Sequence, residues 1–477
     1  LVGSLLTGDV QRASHVLNLP MPTSRSGHHV GSCDRMRPMV DRRALVRGVA
    51  VLVALPVLAL LLVVAADLMP DRLVMSKMHT EILEGKLDDN SYSVGNAGGT
   101  VDGHSECKRM TIGLGAPPGM NDFESAIWSP TLGSCETAVP KIRGWADGDG
   151  LTRSYYYFRY WHGSAVVLRP SVALLGVSGT RLVAAGVLAG AAVALALGLA
   201  RRVGRSSAAL FMAPLLLTTD YIDLPGALVH AIGMIVTVGG AAAILRYLRA
   251  DSSVGTYAVT ALVLGGAFNF FADLTNPDAA WALVVAATAI VAVGSGPIGS
   301  ALTRTTAAAG GWIVGFAWMW LSKWVAASFV VGYETVRDVV RFQAEERLAG
   351  DAAGMGDSRL AGLRSSWDEW LNEPLIPVLV PLLLVAAAVV VWRQRDLGAT
   401  WQRRIVLGAP AVIPFVWHIV MRQHTFVHGW FTYRSFAVAF GIVLLAATAR
   451  MPTTAPSNDD EDHTGQTPVV PVSGQAR

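Results

Sequence analysis

The sequence predicts an all-α polytopic membrane protein with about ten transmembrane helices, and two observations lead to this prediction. The chain of 477 residues is 52% hydrophobic and only 15% charged, whereas soluble proteins are usually about a quarter charged. So little charge cannot cover the surface of a large soluble protein, and lipid must therefore be the solvent for much of it. In addition, ten apolar stretches approach the roughly 20 residues that a membrane span requires. The net charge of +3 is too small to indicate binding to nucleic acid.

The apolar stretches also predict how the chain crosses the membrane. They run approximately over 47–68, 181–200, 206–220, 226–247, 256–273, 278–295, 310–331, 375–392, 404–421 and 431–449. The third and the sixth are short or weak. Cytoplasmic connections carry an excess of Lys and Arg, and with the N-terminus inside every short inner connection is basic, as at Arg201, Arg246, Arg304 and Arg403. We therefore predict a multi-pass protein of the plasma membrane with both ends in the cytoplasm.

The spans divide the chain into seven segments. In chain order these are a disordered leader or wrongly assigned start at 1–38, the first span at 39–68, a long extracytoplasmic loop at 69–180, spans two to seven at 181–331, a second extracytoplasmic loop at 332–374, spans eight to ten at 375–450, and a tail at 451–477. Met36 or Met39 is the alternative start. The tail is rich in Pro, Thr, Ser and Asp and poor in apolar residues, so we expect it to be a disordered cytoplasmic segment.

The first loop contains two of the three cysteines and several acidic residues. If the loop lies outside the cell, Cys107 and Cys135 can form a disulfide; the alternative is two unrelated free thiols. A positioned carboxylate could take a proton from an acceptor hydroxyl. The acidic candidates are Asp67, Asp71, Asp102 and Glu106.

An aromatic cluster directly precedes the second span. Its leading tyrosines, 155–157, are typical of an aromatic belt at the membrane interface. The residues that follow include Arg159, Tyr160, Trp161 and His162. A cation and a histidine beside aromatic rings can bind a phosphate or a sugar ring, so this stretch is a candidate substrate-binding site.

A second polar cluster lies between the last two spans and contains Arg422, His424, His428, Tyr433 and Arg434. The two histidines are four residues apart, so on a helix they share a face. We interpret the cluster as an anion site, with the arginines facing a phosphate and the histidines donating hydrogen bonds or carrying protons. The alternatives are a zinc pair, for which no clear third ligand is visible, and an outer turn with interfacial side chains.

Lys323 lies within the seventh predicted span. A lysine inside a membrane is a functional candidate unless it extends to the interface, and both readings remain open. Its candidate partners are Asp220, Asp223 and Asp273 at outer helix ends. The sequence identifies no cofactor, but these carboxylates would supply oxygen ligands to a divalent cation.

Several of these stretches together resemble GT-C superfamily glycosyltransferases. A large outer loop after the first span is followed by an apolar segment ending in Leu175–Gly176 and then by Arg181, which is similar to that superfamily's Leu/Phe-Gly, linker and Arg pattern. The stretches 159–163, 271–277 and 424–434 and the Trp-x-Ser-Lys-Trp element resemble a poorly characterised multispanning family of Gram-positive bacteria. That second likeness covers about 100–440 and implies common architecture more than chemistry.

The GT-C resemblance implies a sugar transfer on the outer face of the membrane. The donor would be a polyprenyl-phosphate-linked sugar, and the acceptor an envelope glycan, lipid or protein. The stretch 101–106 resembles an Asp-x-x-Thr-Asp element, which implies Glu106 or Asp102 as the base. The donor phosphate would then be held by Arg422, His424, His428, Arg434, Lys323 and Arg159. The alternatives are a transporter or lipid flippase, which would require ionisable groups near the membrane midplane, and a scaffold for envelope assembly.

Overall fold

The computed structural model describes residues 42–90, 92–94, 100–294, 297–350, 352–393 and 400–450. The first half contains α1 (Arg42–Asp67), α2 (Asp71–Leu83), β1 (Tyr92–Val94), β2 (Thr100–Asp102), α3 (Gly103–Met110), α4 (Asp122–Trp128), β3 (Pro130–Thr131), α5 (Cys135–Ala146), β4 (Tyr155–Tyr156), α6 (Ser164–Val203), α7 (Arg205–Leu217) and α8 (Leu228–Tyr247). The second half contains α9 (Val254–Ala272), α10 (Pro277–Val293), α11 (Ile298–Val330), α12 (Tyr333–Ala349), α13 (Ala361–Asn372), α14 (Ile376–Arg393), α15 (Trp401–Gly408), α16 (Ile413–Val420), α17 (Arg422–Val427), α18 (Gly429–Thr432) and α19 (Arg434–Thr448). Short 3₁₀ turns lie at Leu224–Gly226 and Ala409–Val412. The predicted leader at 1–38 and the predicted tail at 451–477 lie outside the described residues.

The chain is helical, and its long apolar helices are those of a polytopic membrane protein. Within the described ranges, eight helices are long and apolar enough to cross a membrane: α1, α6, α8, α9, α11, α14, the run Trp401–Val420 and the run Gly429–Thr448. Two further apolar helices are shorter, α7 and α10. These two correspond to the third and sixth predicted spans, which the sequence marked as short or weak.

Glycines allow α9 and α11 to pack at backbone contact. A Cβ atom added to Gly315 would collide with the carbonyl oxygen of Leu262, and one added to Gly311 would collide with that of Ala258. Small residues let helices approach closely where lipid supplies no hydrophobic drive for association. The α9–α11 pair lies next to α10, which is almost fully buried.

The helix α6 begins earlier than the sequence indicated and is broken once. The second span was predicted at 181–200, but helical structure begins at Ser164. Gly176 interrupts it with φ 71° and ψ 179°, in the left-handed half of the Ramachandran map that glycine tolerates. The Glu81 carboxylate caps the new helix start by accepting hydrogen bonds from the Ser178 N–H (3.2 Å) and Oγ (2.5 Å). The break therefore fixes α2 of the first loop against α6.

The first long loop is a folded unit that packs on the helical bundle. Its short strands form two antiparallel pairs, β1–β2 and β3–β4, and a disulfide joins Cys107 to Cys135. Its apolar core is continuous with the bundle, because Met75 and Met78 of α2 lie in the same buried cluster as Leu228 and Ile232 of α8. Glu106 of α3 and Asp102 directly before this helix consequently lie against the helical bundle.

The second long loop is helical and lies against α17. Arg347 of α12 donates to His424 Nδ1 (2.5 Å), and Ser366 of α13 bonds both the Thr425 carbonyl (3.2 Å) and the Thr432 hydroxyl (2.8 Å). The two loops thus converge on the same end of the bundle as the connection between the last two membrane helices. We call this end the loop face.

Candidate functional site

Asp102 is a buried, ionised carboxylate at the loop face. It caps α3 by accepting the Ser105 N–H at 2.9 Å, and it accepts a hydrogen bond from His230 Nε2 at 3.0 Å. Burial alone would raise the pKa of Asp102, but the bonds from His230 and Ser105 outweigh it and lower the pKa to about 2. Asp102 is therefore negatively charged throughout the physiological pH range and is a weak base.

His230 connects Asp102 to the last membrane helix. Because its Nε2 faces a carboxylate and its Nδ1 faces the Arg434 guanidinium at 3.4 Å, the proton lies on Nε2 and Nδ1 accepts. Arg434 also donates to Asp220 Oδ2 at 3.3 Å, and the Tyr433 hydroxyl donates to the same oxygen at 2.7 Å. The network joins the first loop, α8 and α19 through groups that are almost fully buried.

Glu106 lies one turn after Asp102 in a different environment. Its carboxylate accepts the Leu228 N–H at 2.5 Å and faces Arg181 at 3.3 Å, and the residue is only 1% exposed. Burial raises the pKa of Glu106 to about 7, although Arg181 and the Leu228 N–H oppose the rise. A carboxylate with this pKa exchanges protons readily near neutral pH, as a general base must.

Glu106 also lines a cavity of about 360 Å³ between the first loop and the start of α6. Its polar lining contains both signs of charge and several hydrogen-bonding side chains. These are Lys86, Asp88, Asn90, Ser93, Arg181 and Asp223. The exposed apolar side chain of Ile222 lies at its edge. Such a lining suits a polar molecule rich in hydroxyl groups better than an apolar one.

A second buried ion pair lies deeper in the loop face. Arg109 of α3 bonds both Asp273 and His162 Nδ1, and His162 Nε2 donates to the Tyr157 carbonyl at 2.5 Å. Burial and the neighbouring Arg109 hold the pKa of His162 well below its ordinary value. Arg109 and Asp273 neutralise each other, and His162 is a neutral link between them and the aromatic stretch.

Three half-buried cations surround these pairs without a carboxylate of their own. Lys108 donates to His104 Nε2 at 2.9 Å, Arg159 to the Tyr157 hydroxyl at 3.3 Å, and Arg347 to Gln343 and His424. Within the described part of the chain, none of the three has an acidic oxygen within 4.0 Å. We call Lys108, Arg159 and Arg347 the cation cluster. It is a place where a bound anion would find uncompensated positive charge.

The structure places most of the predicted substrate-binding residues of the aromatic stretch in the interior. Trp161 is buried and donates to the Met319 carbonyl (2.9 Å) and Ser322 (3.2 Å), and His162 is fully buried. Tyr160 is also buried and stacks on Trp320. These side chains therefore hold the aromatic stretch against α11. Only Arg159 of that candidate site is open enough to face a ligand.

Lys323 and Arg434 likewise have partners other than those expected. Lys323 is fully buried and donates to the carbonyls of Ala126 (3.0 Å) and Ile127 (2.9 Å), so it stabilises the end of α4. The charge of Asp273, one of its predicted partners, acts on it without a direct salt bridge. The charge of Arg434 is already compensated by Asp220. Lys323 is enclosed by carbonyl groups and Arg434 is paired with Asp220, so neither side chain is open to a phosphate in this structure.

The predicted histidine pair is brought together, with its rings 4.8 Å apart. His424 accepts from Arg347, and burial and Arg347 lower the pKa of His428 to about 4. Both histidines are therefore neutral at pH 7. Arg422 begins α17 beside them.

The aspartates proposed as cation ligands do not share a site. Asp220 faces Tyr433 and Arg434, and Asp273 faces Arg109, so these two carboxylates are already paired with basic groups. Asp223 lies apart from Asp273, in the lining of the cavity beside Glu106. No group of three or more His, Cys, Asp or Glu side chains suited to a metal occurs in the part of the chain that the structure describes. We therefore derive no step through a metal at these residues.

Sequence reasoning missed His230, Lys108, Arg109 and Arg347. For His230 a signal was present, because an ionisable residue inside an apolar span is a functional candidate by default. The other three lie in charged helices of the loops, where most basic side chains are simply solvated. Only their burial against the bundle separates them from the rest.

Comparison with known proteins adds no relative. No family model matches the chain, no curated protein is similar to it, and no solved structure resembles it. The fold and site define a class only: a helical membrane protein with a polar, partly buried site at its loop face.

Proposed function

We propose that this protein is a GT-C-like membrane glycosyltransferase that moves a sugar from a polyprenyl-phosphate donor to an envelope acceptor on the outer face of the plasma membrane. The proposal includes ten membrane-crossing helices, with α7 and α10 as short spans and both ends of the chain inside. The observation that carries it is Glu106, a carboxylate with a pKa of about 7 in the wall of a polar cavity.

In this mechanism the acceptor hydroxyl lies in the cavity and Glu106 removes its proton. The hydroxyl oxygen attacks the anomeric carbon of the donor, and the bond between that carbon and the phosphate oxygen breaks. The electron pair stays on the phosphate, which leaves as the lipid phosphate. A single displacement of this kind inverts the anomeric centre.

Two further features support the proposal. The break at Gly176, followed by Arg181 near the start of the continuing helix, is the arrangement that the resemblance to GT-C enzymes implies. Arg181 contacts Glu106 directly, so this element reaches the proposed base. The ionised Asp102 contributes a fixed negative charge, which would favour the positive charge that develops on the sugar ring in the transition state.

The test is a transfer assay with purified protein in lipid, a panel of radiolabelled polyprenyl-phosphate sugars and a crude envelope acceptor fraction. Glu106→Gln should abolish transfer, because glutamine cannot take up the proton. Asp89→Asn is the matched control, since Asp89 is an exposed acid of the same loop. Transfer that survives Glu106→Gln would remove Glu106 from the mechanism. An absence of transfer by the wild type across the panel, with an active acceptor fraction shown by a known enzyme, would favour a transporter, a lipid flippase or a scaffold.

A further inference from the structure

The charges around the cation cluster do not balance. The loop face contains four such cations, the three members of the cluster and Arg109, whereas Asp102 acts on Lys108 and Asp273 acts on Arg109. Asp273 is taken by Arg109, and Asp102 is hydrogen-bonded to a neutral histidine. The described residues thus leave two positive charges without a negative partner.

The three cations lie around two tyrosines, Tyr157 and Tyr160. Lys108 Nζ lies 5.6 Å and Arg159 Cζ 4.7 Å from the centre of the Tyr157 ring. Arg159 Cζ is also 5.5 Å from the Tyr160 ring, and the charge of Arg347 acts on the same tyrosine. The cations come from α3, the aromatic stretch and α12, so only the folded chain assembles them.

The surroundings respond to this excess of positive charge. Burial would raise the pKa of Tyr157, but Arg159, Arg109 and Lys108 lower it to about 8. Burial lowers the pKa of Lys108, and Arg109 and Arg159 add to that effect. Both changes have the direction expected of a site that lacks an anion.

We propose that Lys108, Arg159 and Arg347 bind the phosphate of a lipid phosphate monoester, and that the cluster prefers this dianion to a phosphodiester. Two uncompensated positive charges match the charge of a monoester, which approaches −2 at neutral pH, whereas a diester carries −1. The inference rests on the proposed function only in taking the monoester to be the product of sugar transfer. Phosphate binding itself can be measured without turnover.

The preference has a mechanistic consequence. The sugar donor is a phosphodiester, and breaking its bond to the anomeric carbon converts it into a monoester with one more negative charge. A site complementary to the monoester therefore stabilises the charge that develops on the leaving group rather than the ground state. The same site should retain the lipid phosphate product.

Equilibrium binding of three probes to the full-length protein in lipid nanodiscs tests the proposal. The probes are farnesyl phosphate, methyl farnesyl phosphate and farnesol, which share one chain and differ in charge. At pH 7.5 we expect farnesyl phosphate to bind roughly tenfold more tightly than the diester, the equivalent of one additional charge-assisted hydrogen bond. At pH 5 the preference should disappear, since the second pKa of a phosphate monoester is about 6.

The protein also titrates over this range, and the diester provides the correction because its own charge is constant. The groups that face the cluster are Lys108, Arg109, Arg159, Arg347, His104, His424, His428, Tyr157, Tyr160, Asp102 and Asp273. Titration of the protein affects the binding of both esters, so the ratio of the affinity for farnesyl phosphate to that for methyl farnesyl phosphate reports the ionisation of the monoester.

Arg347→Gln and Arg341→Gln form a matched pair on α12. Arg341 is 76% exposed and pairs with Glu345, so its loss should leave binding unchanged. Arg347→Gln should weaken binding of farnesyl phosphate roughly tenfold to a hundredfold, and Arg347→Lys should restore part of it if the fold is intact. Equal binding of farnesyl phosphate and farnesol, or binding unaffected by both Arg347→Gln and Lys108→Gln, would overturn the proposal.

The outcomes separate this inference from the proposed function. If the protein binds the monoester selectively but transfers no sugar, the phosphate site is supported and the glycosyltransferase function is not. If it transfers sugar but its monoester binding is unchanged in these variants, the glycosyltransferase function is supported and the phosphate site is not.

Discussion

Replacing Glu106 with glutamine should make the protein more stable at neutral and alkaline pH and change its stability little at pH 4. In the folded protein burial raises the pKa of Glu106 to about 7, from an ordinary value of 4.5. Between these two values the folded state holds a proton that the unfolded state has released. Stability therefore falls as the pH rises through this window.

The size of the effect follows from the separation of the two pKa values. Each pKa unit corresponds to 1.36 kcal/mol, so the wild type should lose about 3 kcal/mol of folding free energy between pH 4.5 and pH 8 on account of Glu106. Glutamine resembles the neutral acid in shape and still accepts the Leu228 N–H, so it avoids this loss. Arg181 loses its ion partner, but its side chain is 27% exposed and water can solvate it.

The measurement is thermal unfolding in lipid nanodiscs from pH 4 to 8.5, followed by tryptophan fluorescence. We expect the melting temperature of Glu106→Gln to rise progressively above that of the wild type between about pH 4.5 and about pH 7, and the difference to stay constant at higher pH. Asp89→Asn should run parallel to the wild type throughout. A constant difference between Glu106→Gln and the wild type at all pH values would refute the argument, since it would mean that Glu106 has the same pKa in both states.

Three further predictions concern the supports of the site. Arg434→Ala should destabilise the protein by about 3–5 kcal/mol, because it leaves the charge of Asp220 largely buried and without its cation, and denaturant titration would measure this. Gly176→Ala should cost about 1–3 kcal/mol, since the residue has a positive φ and the new Cβ would meet the Glu81 carboxylate; thermal unfolding would show it. Removing the Cys107–Cys135 disulfide should cost about 2–4 kcal/mol by releasing the unfolded loop, seen as a lower melting temperature after mutation to serine or mild reduction.

Each of these changes has a matched control on the same surface. Arg341→Ala removes an exposed arginine and should change stability by less than about 1 kcal/mol. Gly354→Ala also introduces a Cβ at a positive φ, but into open space, so it should cost less than Gly176→Ala. Reduction should leave the melting temperature of the Cys107→Ser, Cys135→Ser double variant unchanged. Equal effects of a change and its control would show that the contact described is not its cause.

Much of the architecture follows from local composition. An apolar run of about 20 residues must satisfy its backbone internally, so α1, α8, α9 and α14 could be read from the sequence to within several residues. The helix α11 was placed correctly at its end, but it begins at Ile298, 12 residues before the predicted start. The start of α6 could not be read from the sequence. The helix begins at Ser164 in a polar stretch that resembles a loop, and it continues through the apolar segment that ends at Gly176. The two shortest apolar helices, α7 and α10, were recognisable as apolar but not as complete spans.

The acidic half of the site was also accessible to sequence reasoning. Asp102 and Glu106 were proposed together from the pattern at 101–106, and α3 does place both against the bundle. What the sequence could not show is that their pKa values move in opposite directions, to about 2 and about 7. The two pKa values differ because His230 donates a hydrogen bond to Asp102, whereas burial is the largest influence on Glu106 and no such bond offsets it.

Local composition is enough to show that this chain is helical, apolar over most of its spans, and rich in polar groups at the ends of those spans. Which of those polar groups meet becomes visible only in the folded chain. Asp102 and His230 are 128 positions apart, and Arg347 and His424 are 77 apart, so no local pattern links them. Span formation depends on neighbouring residues and on lipid, whereas a charge network depends on which helices pack together, and that information is spread over the whole chain.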